Sequence, residues 1–197
     1  VIEIQETLNL KLDMRGNVLE QVTTTKDAAG AVLRTVETVN SELDSRGNAH
    51  RTSRTTKDEK GEVVDVSETV NARFDSRGNV LEQTTVTKDG KGQFISKALV
   101  KSSNFDSRGN AGFTSRTSYD EDGNVVDIAD TTTHKFDSRG NALLQTVLTK
   151  DETGVLLGKT EVINARFDLK GNVGLTVRRN FDDKGTLIDS SETTNNA

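Results

Sequence analysis

Apolar and polar residues alternate along this chain in extended runs of about twelve and about nine residues, each bounded by a turn. Val63 to Phe74 is one long run and Val80 to Lys88 one short run, and the two kinds alternate throughout. Val, Ile, Leu and Thr dominate them, with 26 Thr in all and no Pro to interrupt a hydrogen-bond ladder. The pattern predicts an all-β antiparallel meander of hairpins, elongated or curled, with about thirteen strands.

The turns recur at a fixed interval. Asp13, Asp44, Asp75, Asp106, Asp137 and Asp168 each open a D-x-x-G-N turn, with Gly16, Gly47, Gly78, Gly109, Gly140 and Gly171 at its fourth position, a period of 31 residues. A second turn, D-x-x-G, opens at Asp27, Asp58, Asp89, Asp120, Asp151 and Asp182 with the same period. Asp accepts hydrogen bonds from amides further round the turn, and Gly supplies the left-handed conformation, so these twelve residues are read as structural turn formers. The turn places apolar residues opposite each other: Leu12/Val18, Leu43/Ala49, Phe74/Val80, Phe105/Ala111, Phe136/Ala142 and Phe167/Val173.

The chain is therefore one repeat array over residues 1–197, in six units. Starting at Val1 without an initiator Met, and in mid-repeat, it reads as a segment of a longer array or a self-assembling subunit. Its terminal runs, Val1 to Leu12 and Leu187 to Asn196, share a phase and are expected to be equivalent edge strands open to pairing.

An odd period raises the question of faces, because strand side chains alternate with period two. If both turns carry the same bulge, equivalent side chains fall on opposite faces in successive repeats. If instead the D-x-x-G turn is one residue tighter, or a bulge lies elsewhere, every repeat presents one face, gathering Val64, Val66, Val70, Phe74, Val80, Val86, Ile95, Leu99, Phe105, Phe113 and Tyr119. The second is preferred because such a face can be buried. The other side, with Asp65, Ser67, Thr69, Asn71, Arg73, Gln83, Thr85 and Thr87, then reads as solvated.

A rhythm of 62 lies over that of 31. Odd repeats run NVLEQVTTTKD, NVLEQTTVTKD and NALLQTVLTKD, and even ones NAHRTSRTTKD, NAGFTSRTSYD and NVGLTVRRNFD. Two explanations fit: hairpins that alternate between two packed sheets, or a face flip that two units undo.

Composition narrows function. Hydrophobic residues are 31% and aromatics 4% of the chain, so any core is thin. The net charge of −5, from 26 basic and 31 acidic residues without long runs, leaves no footprint for nucleic acid or anionic lipid, and no apolar run is long enough for membrane insertion. Without Cys there is no disulfide or thiolate metal site. His50 and His134 occupy unrelated repeat phases and read as surface residues rather than metal ligands or an acid–base pair. Gly90-Lys91-Gly92 sits in a hairpin turn, where a phosphate loop has no following helix. No cofactor is expected. Nearly every polar residue has a counterpart 31 or 62 residues away, which makes an enzyme the least favoured reading.

The half-repeat FDSRGNV at Phe74 to Val80, with FDSRGNA at Phe136 to Ala142 and Tyr119-Asp120-Glu121-Asp122-Gly123-Asn124, resembles the YD or Rhs-type repeat of large bacterial surface and toxin-carrying proteins. The resemblance implies a long curling antiparallel sheet in a secreted or cell-surface protein, and no catalytic residue. The expected function is an extracellular stalk, spacer or filament whose partners are other copies of itself or flanking repeats. The alternatives are a binding module whose Thr-rich polar face holds carbohydrate or ice, and a closed barrel or shell.

Overall fold

The computed structural model describes residues 3–195. Thirteen strands follow one another in chain order in a single open antiparallel sheet with no helix among the described residues. They are β1 (Ile4–Leu12), β2 (Val18–Lys26), β3 (Val32–Leu43), β4 (Ala49–Lys57), β5 (Val63–Phe74), β6 (Val80–Asp89), β7 (Phe94–Phe105), β8 (Ala111–Tyr119), β9 (Val125–Phe136), β10 (Ala142–Lys150), β11 (Leu156–Ala165), β12 (Leu175–Asp182) and β13 (Leu187–Thr194). The long and short runs of the sequence are these strands. Val1, Ile2, Asn196 and Ala197, at the outer ends of the expected edge strands, lie outside the described residues. Contacts divide the chain into two units, residues 1–99 and 100–197. The linear order sets aside a closed barrel and two packed sheets alike.

The pairing register settles how an odd period keeps one face. Each D-x-x-G-N turn leaves five residues between its flanking partners, as in Leu12↔Val18, Leu43↔Ala49, Phe74↔Val80 and Phe136↔Ala142. The D-x-x-G turns do the same, as in Lys26↔Val32, but the next pair is Thr25↔Arg34, so Leu33 is an extra residue beyond the turn. The same one-residue bulge follows at Lys57↔Val63, Tyr119↔Val125, Lys150↔Leu156 and Phe181↔Leu187. One bulge per repeat makes the strand-to-strand offset odd, matching the odd period, so equivalent residues share a face. Val66, Val70 and Val86 lie together in the first unit, and Phe113 and Tyr119 together in the second. Val64, expected among them, is the bulge residue itself.

The 62-residue rhythm therefore has neither of the expected causes. It marks a local backbone device near the turn: Glu42, Asn104 and Arg166, spaced by 62, take φ of +54°, +56° and +56°. Across from the latter two stand Gly112 and Gly174, where an added Cβ would come within 2.8 Å of Asn104 O and 2.5 Å of Arg166 O. Odd repeats instead show paired register irregularities, at Asn9/Lys11 and Lys11/Leu12 in β1. At Arg166 the device ends the ladder early. Gly174 N–H donates to Arg166 O at 3.0 Å, β11 stops at Ala165, and the expected Phe167/Val173 pair falls outside the strands.

The described residues form no apolar core. Val36, 7% exposed, is the one buried hydrophobic residue among those described, while Leu8 is 63% and Val39 46% exposed. The expectation of one buried apolar face and one solvated polar face is not met, because the two faces are alike. Asp65, Ser67, Thr69 and Asn71 are half-buried on the polar side, Val66, Val80 and Val86 are half-buried on the other, and Glu68 and Val70 there are exposed. The cause is lateral packing of short branched side chains that bond across strands: Thr7 to Thr23 (3.0 Å), Ser67 to Thr87 (3.0 Å), Thr69 to Thr85 (2.9 Å), Thr52 to Asn40 (2.9 Å) and Thr176 to Asn164 (3.0 Å). Such pairs contribute ~0.2–1 kcal/mol each and replace the hydrophobic layer that other sheets rest on. The aliphatic face carries ion pairs at a repeated place, Lys26 with Glu6, Lys57 with Glu37 and Lys150 with Asp130.

Candidate functional site

The feature the sequence repeats most faithfully, the D-x-x-G-N turn, becomes a contact surface when the turns stand beside one another. Within one turn, Asp13 Oδ1 accepts from the Arg15 and Asn17 amides at 2.8 and 2.9 Å, and Oδ2 accepts from Asn17 Nδ2 at 2.9 Å. The Asp13 amide donates to Asn17 O at 2.9 Å, and Gly16 N–H to Asp13 O at 3.1 Å. Asp44, Asp75, Asp106, Asp137 and Asp168 make the same bonds to Asn48, Asn79, Asn110, Asn141 and Asn172. Gly16, Gly47, Gly78, Gly109, Gly140 and Gly171 have φ between +86° and +91°.

The Asn side chain does more than close its own turn. A Cβ on Gly47 would lie 2.3 Å from Asn17 Oδ1, one on Gly78 3.1 Å from Asn48 Nδ2, and one on Gly140 2.7 Å from Asn110 Nδ2. In these pairs, and in Asn141 with Gly171 at 3.2 Å, a turn rests its Asn on the glycine of the turn 31 residues later. Arginine fastens the same stack: Arg15 Nη1 donates to Ser45 O at 2.7 Å and Nη2 to Asp44 O at 2.9 Å. Arg46 reaches Ser76 O, and Arg139 Nη1 reaches Asp168 O at 2.7 Å. Glycines of the other turns, Gly30, Gly61, Gly92, Gly123, Gly154 and Gly185, have nothing within 4 Å of such a Cβ. This contrast explains why Asn is fixed in one turn type and free in the other.

The Asn bonds also set the charge. The Asn79 side chain, then its backbone amide and that of Arg77, hold the Asp75 carboxyl below its ordinary value against a smaller desolvation penalty. Asp13, Asp44, Asp106, Asp137 and Asp168 are lowered for the same first reason. Both oxygens of each carboxylate are thereby occupied within the turn. Among the described residues no three His, Asp or Glu side chains converge on a point.

Asn40, Asn71 and Asn164, near the ends of long strands, donate to Val18 O, Ala49 O and Ala142 O at 3.1, 2.8 and 3.1 Å. Val18 and Ala142 flank turns where the register is irregular, and Ala49 flanks the turn beside the left-handed Glu42. His50, expected on the surface, is half-buried instead: its Nδ1–H donates to Asn71 O at 3.1 Å and its ring stands edge-on to Phe74, centroids 5.0 Å apart. His134 is exposed and bonds Thr146 Oγ1 at 2.9 Å.

The polar face has a concavity of about 290 Å³, spanning β1 to β4. Thr25, 3% exposed, and Val36 lie in it, with Gln5, Gln21, Arg34 and Arg54 around them. The sequence signal that could have found it is a break in the repeat, since Arg34 stands where Glu3, Asp65, Asp127 and Asp189 stand in other units.

Fold and turns together define an all-β antiparallel repeat array with a clasped row of turns in each unit. No protein-family model matches the chain, and no curated protein matches it. Among solved structures, the crystal structures of TcdB2-TccC3-Cdc42 and TcdB2-TccC3 align with 95% of this chain at 13% and 14% identity, each with a TM-score of 0.21. The chain spans 11% of the length of each of those chains. A likeness that loose carries no argument.

Proposed function

We propose that this chain is a structural β-repeat segment of an extracellular or cell-surface protein, serving as a stalk, spacer or self-associating filament. The observation that carries the reading is the recurrence of the same two devices from repeat to repeat. A bulge after the D-x-x-G turns at Asp27, Asp58, Asp120, Asp151 and Asp182 returns equivalent residues to one face, and within each of the two units the Asn of one turn meets the glycine 31 residues later. Each further unit adds two strands, about 9.5 Å of sheet, with no new core to build. The polar positions are spent on neighbouring strands and turns rather than gathered at one reactive centre. The FDSRGNV signature, with its resemblance to YD and Rhs-type repeats, supports the extracellular setting.

The test is a chain in which six-unit segments are joined in tandem with the 31-residue phase kept. Small-angle scattering should give a maximum dimension that grows in proportion to unit number; growth as the cube root of mass would refute the spacer reading. Electron microscopy and analytical ultracentrifugation over a range of concentrations address the filament form. A monomer throughout, without fibres, would remove that form and leave the spacer.

A further inference from the structure

The concavity on the polar face is where the array departs from its own repeat. We propose that it is a binding site for an anionic polysaccharide, with Arg34 and Arg54 holding a carboxylate or sulfate group and the surrounding amides and hydroxyls holding the sugar. The inference concerns chemistry at one place and stands apart from any stalk or filament role.

Three observations meet there. First, the departures coincide: Arg34 replaces an acid, a Ser or a Gly of the other units, and Val36 replaces Gln5, Ser67, Ala98, Ala129, Thr160 or Ser191. In later units the acid at Arg34's position accepts a bond from the neighbouring strand, Thr56 to Asp65 at 3.2 Å, Ser118 to Asp127 at 3.0 Å and Asn180 to Asp189 at 2.8 Å. The Arg removes that acceptor and adds a cation. Second, both guanidiniums are exposed and have no hydrogen-bond or ion-pair partner among the described residues, whereas Arg116, 62 residues after Arg54, donates to Ser118 Oγ at 2.8 Å. The nearest acid across from Arg54, Asp65, is engaged with Thr56. Third, Thr25 and Val36, the two buried residues among those described, lie in the concavity, and the volume of about 290 Å³ matches the small end of ligand pockets, ~300 Å³.

The lining selects the ligand. Guanidinium forks match the planar or tetrahedral oxygens of carboxylate and sulfate. Gln5 and Gln21 supply donors and acceptors together, as vicinal hydroxyls require, and the Val36 methyls offer an apolar patch for the C–H face of a pyranose. Nucleic acid fits less well, because no aromatic side chain lines the concavity to stack a base and the chain carries a net charge of −5.

Isothermal titration calorimetry of the whole chain with polygalacturonate, dextran sulfate, unmodified dextran and a single-stranded oligonucleotide tests this. At least one anionic polysaccharide should bind; preference for polygalacturonate assigns a carboxylate and preference for dextran sulfate a sulfate. Arg34→Gln with Arg54→Gln should weaken that binding about tenfold or more. Arg116→Gln, at the equivalent repeat position 62 residues from Arg54, should change it less than about twofold. All three substituted residues are exposed, and circular dichroism checks that the variants fold. No binding of either polyanion, equal binding of unmodified dextran or the oligonucleotide, or an equal loss in Arg116→Gln would overturn the proposal.

Discussion

Gly47→Ala and Gly16→Ala are the same substitution in the same turn type, and the turn stack makes them unequal. Both glycines have left-handed backbones, φ +88° and +86°, so alanine costs each about 1 kcal/mol of backbone strain. At Gly16 the new methyl meets nothing within 4 Å, and strain is the whole cost. At Gly47 it would lie 2.3 Å from Asn17 Oδ1 and 2.8 Å from Asn17 Cγ, inside any allowed contact. The Asn17 side chain must move, and it then loses its 2.9 Å bond to Asp13 Oδ2, worth about 1 kcal/mol, together with packing against the next turn. Gly47→Ala should therefore cost about 2–3 kcal/mol where Gly16→Ala costs about 1.

Urea denaturation followed by circular dichroism measures both. A double-mutant cycle sharpens the assay, because in an Asn17→Ala background Gly47→Ala should fall back to the cost of Gly16→Ala. Equal costs in the parent chain, or no coupling in the cycle, would refute the reasoning and leave these glycines as turn formers only.

Acid should loosen the array through the same turns. The folded carboxyls of Asp13, Asp44, Asp75, Asp106, Asp137 and Asp168 lie below the ordinary 3.8, so their contribution is complete above about pH 4 and is lost as pH falls through the lowered values. Melting temperature should be level near neutrality and fall below about pH 4, and in Asn79→Ala a carboxyl-detected NMR titration should show Asp75 moved back up. Arg166→Gly should stabilise the second unit by about 1 kcal/mol in urea melts, since φ +56° strains any residue with a Cβ. Deleting bulge residue Leu33 should cost little, because Thr25 still meets Arg34; deleting Glu37 moves Asn40 to the other face and breaks its bonds to Val18 O and Thr52, for about 2 kcal/mol or more by the same melts.

Strands and turns were legible because they are local. Asp75 and Gly78 write a turn within a few residues, and Val63 to Phe74 writes a strand by composition. Face and contact were not local. The bulge at Leu33 leaves no residue-type mark, since bulge residues are Leu33, Val64, Val126, Leu157 and Ile188, ordinary strand formers. They also look like core residues in a periodicity count, which is how Val64 was gathered onto the wrong list. The half-burial of the polar face was missed because hydrophobicity predicts burial one residue at a time, whereas Thr69 and Thr85 partly cover each other. The Asn-to-glycine contact was equally invisible, although its trace was present: Asn17 and its equivalents are fixed in one turn type, and the second type dispenses with them.

The constancy of 31 follows from two requirements acting together. A residue inserted in a strand would turn every later side chain to the other face and part pairs such as Thr52 and Asn40. Two inserted residues would restore the face, yet they would lengthen one strand by about 7 Å and lift its turn off the stack, separating an Asn from the glycine it rests on. Face alone would permit repeats of 29, 31 or 33 residues side by side; the turn stack alone would permit compensating changes within a hairpin. Together they oppose insertion and deletion along the strands, the bulge position beside the D-x-x-G turn excepted. The D-x-x-G turns, whose glycines touch nothing, are released from the second requirement, and there the sequence varies: DAAG, DEKG, DGKG, DEDG, DETG and DDKG against DSRGN four times in six. Sequence freedom follows contact, turn by turn, and a protein assembled this way lengthens by copying its unit rather than by enlarging a core.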